Sequence, residues 1–253
     1  MAYRPRSLRH EYELYLEREI EEYKESVPRS VLLGIGDEAV ASLGKQQQLA
    51  LTELVLCDEV DRIISTRLRV PSYSAWRRRR LKSLKEFSRP ERWGLRPDGA
   101  LARTVGHEGH VLVAGADEGT ALYLAANGCA VTALDNTGDI LERVMNAAVE
   151  VGIAGRVRGL MTDLATWAPD MPLNAVVCAA AAFTGLTLAE RTRAISLLQQ
   201  ATTAGGIHLV DIGADGRRPV TVEELSARYI GWQISVERDV SSVETFLARK
   251  AVA

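Results

Sequence analysis

The sequence predicts an α/β protein: a doubly wound, mainly parallel sheet over residues 101–253, preceded by an all-helical domain over residues 1–100. Three observations predict it. Apolar residues recur at three- and four-residue intervals between positions 31 and 68, with tyrosines and acids interleaved before them. From Val111 to the C-terminal end, short apolar runs alternate with helical patterns, which implies strand–helix–strand units and a parallel sheet. Between the two regions, Arg89–Gly99 carries Pro90, Gly94 and Pro97 and reads as a linker.

The helical half contains four candidates. Residues 8–26 carry Leu14, Ile20 and tyrosines at 12, 15 and 23, and Pro28 ends that helix or starts the next. Val31–Leu43 follows a helical pattern despite Gly34 and Gly36. Gln46–Arg67 is stronger, with Leu49, Leu54, Leu56, Val60, Ile63 and Ile64 in phase. After Pro71, Tyr73–Phe87 places Tyr73, Trp76, Leu84 and Phe87 on one stripe. In the second half, strands are expected at Val111–Ala114, Ala130–Leu134, Arg156–Leu160, Asn174–Ala179, Ile207–Ile212, Gln233–Glu237 and Val243–Arg249. Helices are expected at Thr120–Asn127, Val144–Val151, Leu188–Thr203 and Val222–Ile230. The last two strands are separated by a short turn, so an antiparallel hairpin is an alternative to parallel pairing there.

One stretch organises the second half: Val111–Asp135, VLVAGADEGTALYLAANGCAVTALD. Its first apolar run suits a strand buried on both faces. Gly115 and Gly119 bracket a turn that lets backbone approach a ligand closely. Gly128 suits the left-handed position after a helix. Asp135 ends the second strand. Ligands of open parallel sheets bind outside the carboxyl ends of the strands, so Gly115, Gly119 and Asp135 are expected to line one pocket. An acid there can accept from both hydroxyls of a ribose, or it can cap the helix that starts near Thr137.

This stretch resembles the cofactor site of class I S-adenosylmethionine-dependent methyltransferases. Its LYLA helix and VTALD strand are most similar to the small-molecule branch of tellurite-resistance and thiopurine methyltransferases. The resemblance runs from about Val105 to the C-terminus. It implies a Rossmann-like sheet of seven strands, the last antiparallel, with S-adenosyl-L-methionine as cofactor and S-adenosyl-L-homocysteine as product. It implies a cofactor site made by Ala114, Gly115, Ala116, Asp117, Gly119, Asp135, Asn136, Asp163, Leu164 and Ala180. Phe183, Thr184 and His107 are then candidates on the acceptor side. The chain departs from the family at Val113, where an acid is usual, and at Asp117, where a glycine is usual.

Glycine turns of this kind also bind dinucleotides and phosphates. Here Asp117 and Glu118 would repel a pyrophosphate at the helix N-terminus, by about 1 kcal/mol or more, whereas a sulfonium and an ammonium suit an acidic turn. The alternative is that both acids cap the following helix. In Met161-Thr162-Asp163-Leu164, the resemblance implies that Asp163 accepts from the adenine amine and Leu164 packs on its ring. The other reading makes Asp163 an N-cap before Trp167. The run from Cys178 to Thr184 is mostly alanine, which leaves space but supplies no acid or base, and Asn174 stands near the place where the strand usually opens with an acid. Methyl transfer tolerates that, because positioning supplies much of its rate. No catalytic residue is assigned. Cys178 is a weak nucleophile candidate against a buried strand cysteine. His107 and His110 in VGHEGH lack the spacing and third ligand of a zinc site, so no metal is expected.

Net charge is −2, with 47% hydrophobic and 25% charged residues, which fits a soluble globular chain and gives no strong partner signal. Cys57, Cys129 and Cys178 share no motif and read as free thiols in the cytoplasm. The polar start is not a signal peptide, and the charge-poor stretch 168–188 contains proline, asparagine and threonine and is not a membrane span. Arg62–Arg96 holds twelve Arg or Lys against Glu86 and Glu91, +10 in all. With Tyr73, Trp76 and Trp93 it is either a nucleic-acid surface or, as the apolar stripe favours, a solvated helix face paired with acids. The expected function is methyl transfer to a small-molecule acceptor, with the helical domain closing over the donor and choosing the acceptor. Deleting residues 1–100 is then expected to abolish transfer and leave a folded core. The alternatives are an RNA- or DNA-modifying methyltransferase and a degenerate, non-catalytic scaffold. Oligomeric state is not assigned.

Overall fold

The computed structural model describes residues 7–44, 53–106, 108–115, 118–212, 219–238 and 244–252. The chain divides into two compact units, Arg6–Lys82 and Ser83–Ala253.

The first unit contains α1 (Leu8–Ser26), α2 (Arg29–Leu43), α3 (Glu53–Arg67) and most of α4 (Tyr73–Phe87). The Oγ of Ser7 accepts from the His10 N–H at 3.2 Å and starts α1. Pro28 sits at the N-cap of α2, where its fixed φ ends one helix and opens the next. Ile20, Ile35, Ala39, Ile63 and Ile64 form the core of this unit. The Tyr73 and Trp76 rings of α4 each lie 5.4 Å from the Tyr12 ring of α1. The expected start of the third helix, 46–52, lies outside the described residues.

The second unit runs through α5 (Ala100–Thr104), β1 (His110–Ala114), α6 (Glu118–Ala126), β2 (Ala130–Asp135), α7 (Gly138–Glu150), β3 (Val157–Met161), β4 (Leu173–Ala179), α8 (Leu188–Ala201), β5 (Thr202–Asp211), α9 (Val222–Ser226), β6 (Gln233–Arg238) and β7 (Glu244–Arg249). The strands form one seven-stranded sheet in the order β3-β2-β1-β4-β5-β7-β6. Every neighbour pair is parallel except those of β7, which is antiparallel to β5 and to β6. The hairpin alternative is therefore the correct one for the last two strands, and β7 slots between β5 and β6. Chain order reverses at β1/β4, which makes that pair the switch point of the sheet.

Alternation sorts β1 between two cores. Val111 and Val113 face α5, α6 and α7 together with Val177 and Leu209, whereas Leu112 and Ala114 face α8 and α9 together with Val176 and Val210. Covered on both faces, the strand reads as an unbroken apolar run. Residues Thr120–Ala126 of α6 are all buried, so that helix is apolar all round. It closes as Gly128 predicts: φ is +104°, the Gly128 N–H donates to Ala125 and the Cys129 N–H to Leu124, both at 3.1 Å. The expected helix Val222–Ile230 stops at Ser226, because the Arg228 N–H bonds back three residues to Leu225 at 2.8 Å and tightens the turn.

Residues 89–99 do more than link. Pro90–Trp93 form a 3-10 turn that packs on α6, and Trp93, Leu95 and Ala100 join the core around it. The Trp93 indole N–H donates to the Phe87 carbonyl at 2.6 Å. The Trp93 carbonyl rests against Gly119, where a Cβ would lie 2.3 Å from it. Gly119→Ala is expected to destabilise the unliganded chain by about 1–3 kcal/mol through overpacking, read as a lowered urea midpoint. An unchanged midpoint would show that Trp93 is free to move.

On the opposite face, His208 of β5 is buried between Thr202 Oγ1 and Tyr229 Oη, each 2.7 Å from a ring nitrogen. The Trp232 ring lies 4.8 Å away. Burial first, then the Lys250 charge, holds the His208 pKa down at about 3, against an ordinary value of 6.5. Above 6.5 the imidazole is neutral in both folded and unfolded chains, and its contribution to stability is complete. As the pH falls from 6.5 towards 3 the unfolded chain takes up a proton that the folded chain refuses. Stability is then lost at up to about 1.4 kcal/mol per pH unit. Denaturation across this window should show a shallower acid slope in His208→Gln than in the parent.

Candidate functional site

The carboxyl ends of β3, β2, β1, β4 and β5 lie side by side along one edge of the sheet, and most of the expected site residues gather there. Ala114 ends β1, buried, opposite Leu134 and Cys178. Gly115 continues the ladder by donating to the Leu134 carbonyl at 3.1 Å, then turns with φ +61°. A Cβ on Gly115 would lie 2.5 Å from the Ala182 amide nitrogen. Both glycines of the turn thus admit the chain's own backbone: Ala182 at Gly115 and Trp93 at Gly119. Ala116, Asp117 and His107 lie outside the described residues. Glu118 opens α6 and stands 3.6 Å from Arg143 of α7.

Asp135 is 9% exposed at the end of β2. Its Oδ1 accepts from the Thr137 N–H at 2.7 Å and from the Thr137 hydroxyl at 2.5 Å, which fixes the carboxylate and leads the chain into α7. Among the described residues, Oδ2 accepts no hydrogen bond. Half of the carboxylate therefore does the helix-start work and half faces outward beside the exposed Asn136. Asp163 is exposed. Its Oδ1 accepts from the N–H groups of Ala165 and Thr166 and from the Thr166 hydroxyl, at 2.8–3.0 Å. Those bonds, the hydroxyl first, hold its carboxyl below the usual range. The turn-capping reading of Asp163 is thus realised in the folded chain.

Two residues stand differently from expectation. Leu164 is 2% exposed and packs in the core under β2 and β4, so it offers no free face to an adenine ring. Phe183 is 1% exposed in the same core, because the 3-10 turn Ala180–Phe183 rolls its ring inward, so it presents no free face to an acceptor. Ala180 is half-buried and Thr184 exposed at either end of that turn. Cys178 is buried in β4, and burial pushes its thiol up to about 12, which removes it as a nucleophile. His110 begins β1 at the amino edge of the sheet, a strand's length from Gly115, and its Nε2 pairs with the Thr132 hydroxyl at 2.8 Å. The glycine of VGHEGH is needed there: Gly109 has φ +104°, and a Cβ would lie 2.4 Å from Asn174 Oδ1, which accepts the His110 N–H. Among the described residues, no group of three or more His, Cys, Asp or Glu is placed to hold a metal ion. Nor is any helix among them long and apolar enough to cross a membrane.

Among the described residues, two cavities bear on this unit. One, about 750 Å³, lies between the 3-10 turn, α6 and α7, and is lined by Trp93, Gly115, Glu118, Gly119, Ile140 and Arg143 among others. The second, about 670 Å³, lies over β5, β7 and β6 beneath residues 94–103. Asp135 and Asp163 line neither. The second cavity holds a residue absent from the expected set: Asp211, the last of β5 and the register partner of Ala179. Its signal was present in the sequence, since IHLVD ends an apolar strand in an acid just as VTALD does.

Part of the basic segment is engaged locally. Arg80 pairs with Glu11 at 3.1 Å, Arg62 with Glu59 at 2.7 Å, Arg96 with Asp98 at 2.8 Å, and Arg67 with Glu38. Tyr73 and Trp76 spend their faces on the tyrosines of α1, and Arg9 lies 5.2 Å over the Tyr73 ring.

No family model matches the chain, and no curated protein does. Solved structures do. The glycopeptide N-methyltransferase MtfA complexed with S-adenosyl-L-homocysteine is 15% identical with a TM-score of 0.50, covering 65% of this chain and 89% of that one. TehB from Haemophilus influenzae is 19% identical at a TM-score of 0.47, covering 56% and 57% of the two chains. The N-methyltransferase NodS from Bradyrhizobium japonicum WM9 is 12% identical at 0.48, covering 69% and 96%. At such identities the likeness is one of fold, and with the strand order above it gives the second unit the seven-stranded, Rossmann-like fold of a class I methyltransferase.

Proposed function

We propose that the chain transfers a methyl group from S-adenosyl-L-methionine to a small-molecule acceptor, and that the donor lies over the carboxyl ends of β1, β2 and β3. One observation carries this reading. One strand from the switch point of a methyltransferase-type sheet, a nine-tenths buried acid ends β2 with one oxygen pinned by Thr137 and the other unengaged among the described residues. Such a carboxylate is pre-positioned to accept from ribose hydroxyls. When bound, the donor supplies a methyl group already activated on a sulfonium. The chain's part is then to hold Asp135 in place, to present the peptide groups of Gly115, and to position the acceptor. Neighbours named as N-methyltransferases support this reading by fold, and the LYLA and VTALD segments support the small-molecule branch. Three free cysteines fit a reducing cytoplasm.

A non-catalytic, donor-binding role is the second reading, favoured by the Trp93 carbonyl filling the space that Gly119 leaves open. A nucleic-acid acceptor has less support, because the rings that would stack on bases are packed on other rings. We assign acceptor choice to the helical unit. The sheet unit keeps Trp93, Leu95 and Ala100 in its own core, so the cut that tests this belongs before Ser83 rather than at residue 100.

Calorimetry with S-adenosyl-L-methionine and S-adenosyl-L-homocysteine is the direct test. Asp135→Ala should weaken both by about 1–3 kcal/mol, through loss of charged hydrogen bonds. Equal affinity in the variant rejects the ribose assignment, and binding without turnover on any acceptor favours the second reading. A chain starting at Ser83 should bind the donor like the full chain and lose transfer. Retained transfer removes the role given to the helical unit.

A further inference from the structure

We propose that β6 is a docking edge for a second copy of this chain, and that two β6 strands pair antiparallel about a two-fold axis at Ser235. The inference rests on neither the donor reading nor the cavities.

β6 ends the sheet order, with β7 on one side and no strand on the other. Among the described residues, no hydrogen bond reaches the backbone of its outer edge. Natural sheets guard such edges with bulges, prolines and charges. β6 has none of these along its first four residues. Its register with β7 runs unbroken from Gln233 to Arg238, and Gln233–Val236 holds neither a charge nor a proline. The charges at its far end are engaged within the chain, Glu237 with Arg103 and Arg238 with Glu244. The opposite edge strand, β3, is guarded by Arg158, which pairs with Asp170 at 2.8 Å.

The apolar side chains of β6 lie together. Ile234 and Val236 stand in register with Ala248 and Phe246 of β7, both buried in the core on the α8 and α9 side. They extend that face past its cover, and are 39% and 43% exposed.

The strand's own sequence fits a second copy. Symmetric antiparallel pairing keeps the two faces of the sheet in line, so the axis must fall at a residue. At Ser235, Ile234 faces the second copy's Val236 and Val236 faces its Ile234, while Gln233 can donate its amide to the carboxylate of Glu237. An axis at Val236 would set Ile234 against Arg238. An axis at Ile234 would leave only Gln233–Ser235 paired within the two strands. Pairing at Ser235 joins residues 233–237, about 17 Å of strand with about four or more backbone bonds. So short an edge buries less than the roughly 1,200 Å² of a standard interface, which places the dimer in the weak class, with Kd about 10–100 μM.

Sedimentation of the full chain tests this, in a Cys57→Ser background that removes the exposed native thiol. The expected result is a single-chain mass at about 1 μM and a two-chain mass at about 200 μM. Ile234→Lys with Val236→Lys sets like charges opposite each other and should raise Kd at least about tenfold, with donor affinity unchanged. A second variant reads the register. Directly opposite residues have Cα atoms about 4.5–5.5 Å apart, so Ser235→Cys should form a disulfide between chains on mild oxidation. Gln233→Cys should not, because its two copies would lie about 13 Å apart. A single-chain mass at about 200 μM, a dimer unmoved by the lysines, or bridging at 233 but not at 235 each overturns the proposal.

Discussion

At Gly115 the chain leaves the most deeply buried strand of the sheet with φ +61°, and only a hydrogen fits where a side chain would meet the Ala182 amide at 2.5 Å. That close approach fixes the rest. It brings the turn after β4 onto the end of β1, which sets where the alanine run lies and rolls Phe183 into the core. It also starts α6 directly above the strand, so that Thr120–Ala126 can be buried on every side. A β-substituted residue at 115 would meet backbone, not a flexible side chain, and backbone cannot give without shifting β4. The switch point is therefore a place where the protein packs against itself before any ligand enters.

The same reasoning changes the meaning of the second glycine. In the sequence Gly115 and Gly119 look alike, two gaps in a turn that leave room for a ligand. In the fold Gly119 receives the carbonyl of Trp93, whose own indole is tied to Phe87. The segment before α5 is thereby clamped to the start of α6, and it roofs the cavity over β5 with Leu95, Arg96 and Asp98. One glycine thus links the two cavities through the backbone.

Much of this was legible in the sequence, for definite reasons. The end of α1 follows from Pro28, the place of α4 from Pro71 and an aromatic stripe, and the succession of strands and helices along the chain from alternation. The place of Asp135 at the end of β2 was legible because an acid closes an apolar run there. Leu164 and Phe183 were not, because each follows a polar or small residue at a strand end, and whether such a side chain turns inward depends on how tightly the next turn winds. Trp93 was not legible either. A run with two prolines and a glycine reads as a linker until the glycine that accepts its carbonyl is seen in space, 26 residues downstream.

Asp135 and Asp211 make the final point about strand-end acids. Both close an apolar run, and both take a hydroxyl from a threonine, Thr137 and Thr245. Their surroundings differ. Asp135 sits beside its own helix start, next to exposed Asn136, and its threonine is two residues along the chain, so its orientation is set locally. Asp211 is oriented from a neighbouring strand and stands among guanidinium pairs over an apolar floor. Asp135 is thus held by residues next to it in the sequence. The difference follows from where the partner threonines come from: one from sequence neighbourhood, the other from β7, the antiparallel strand between β5 and β6.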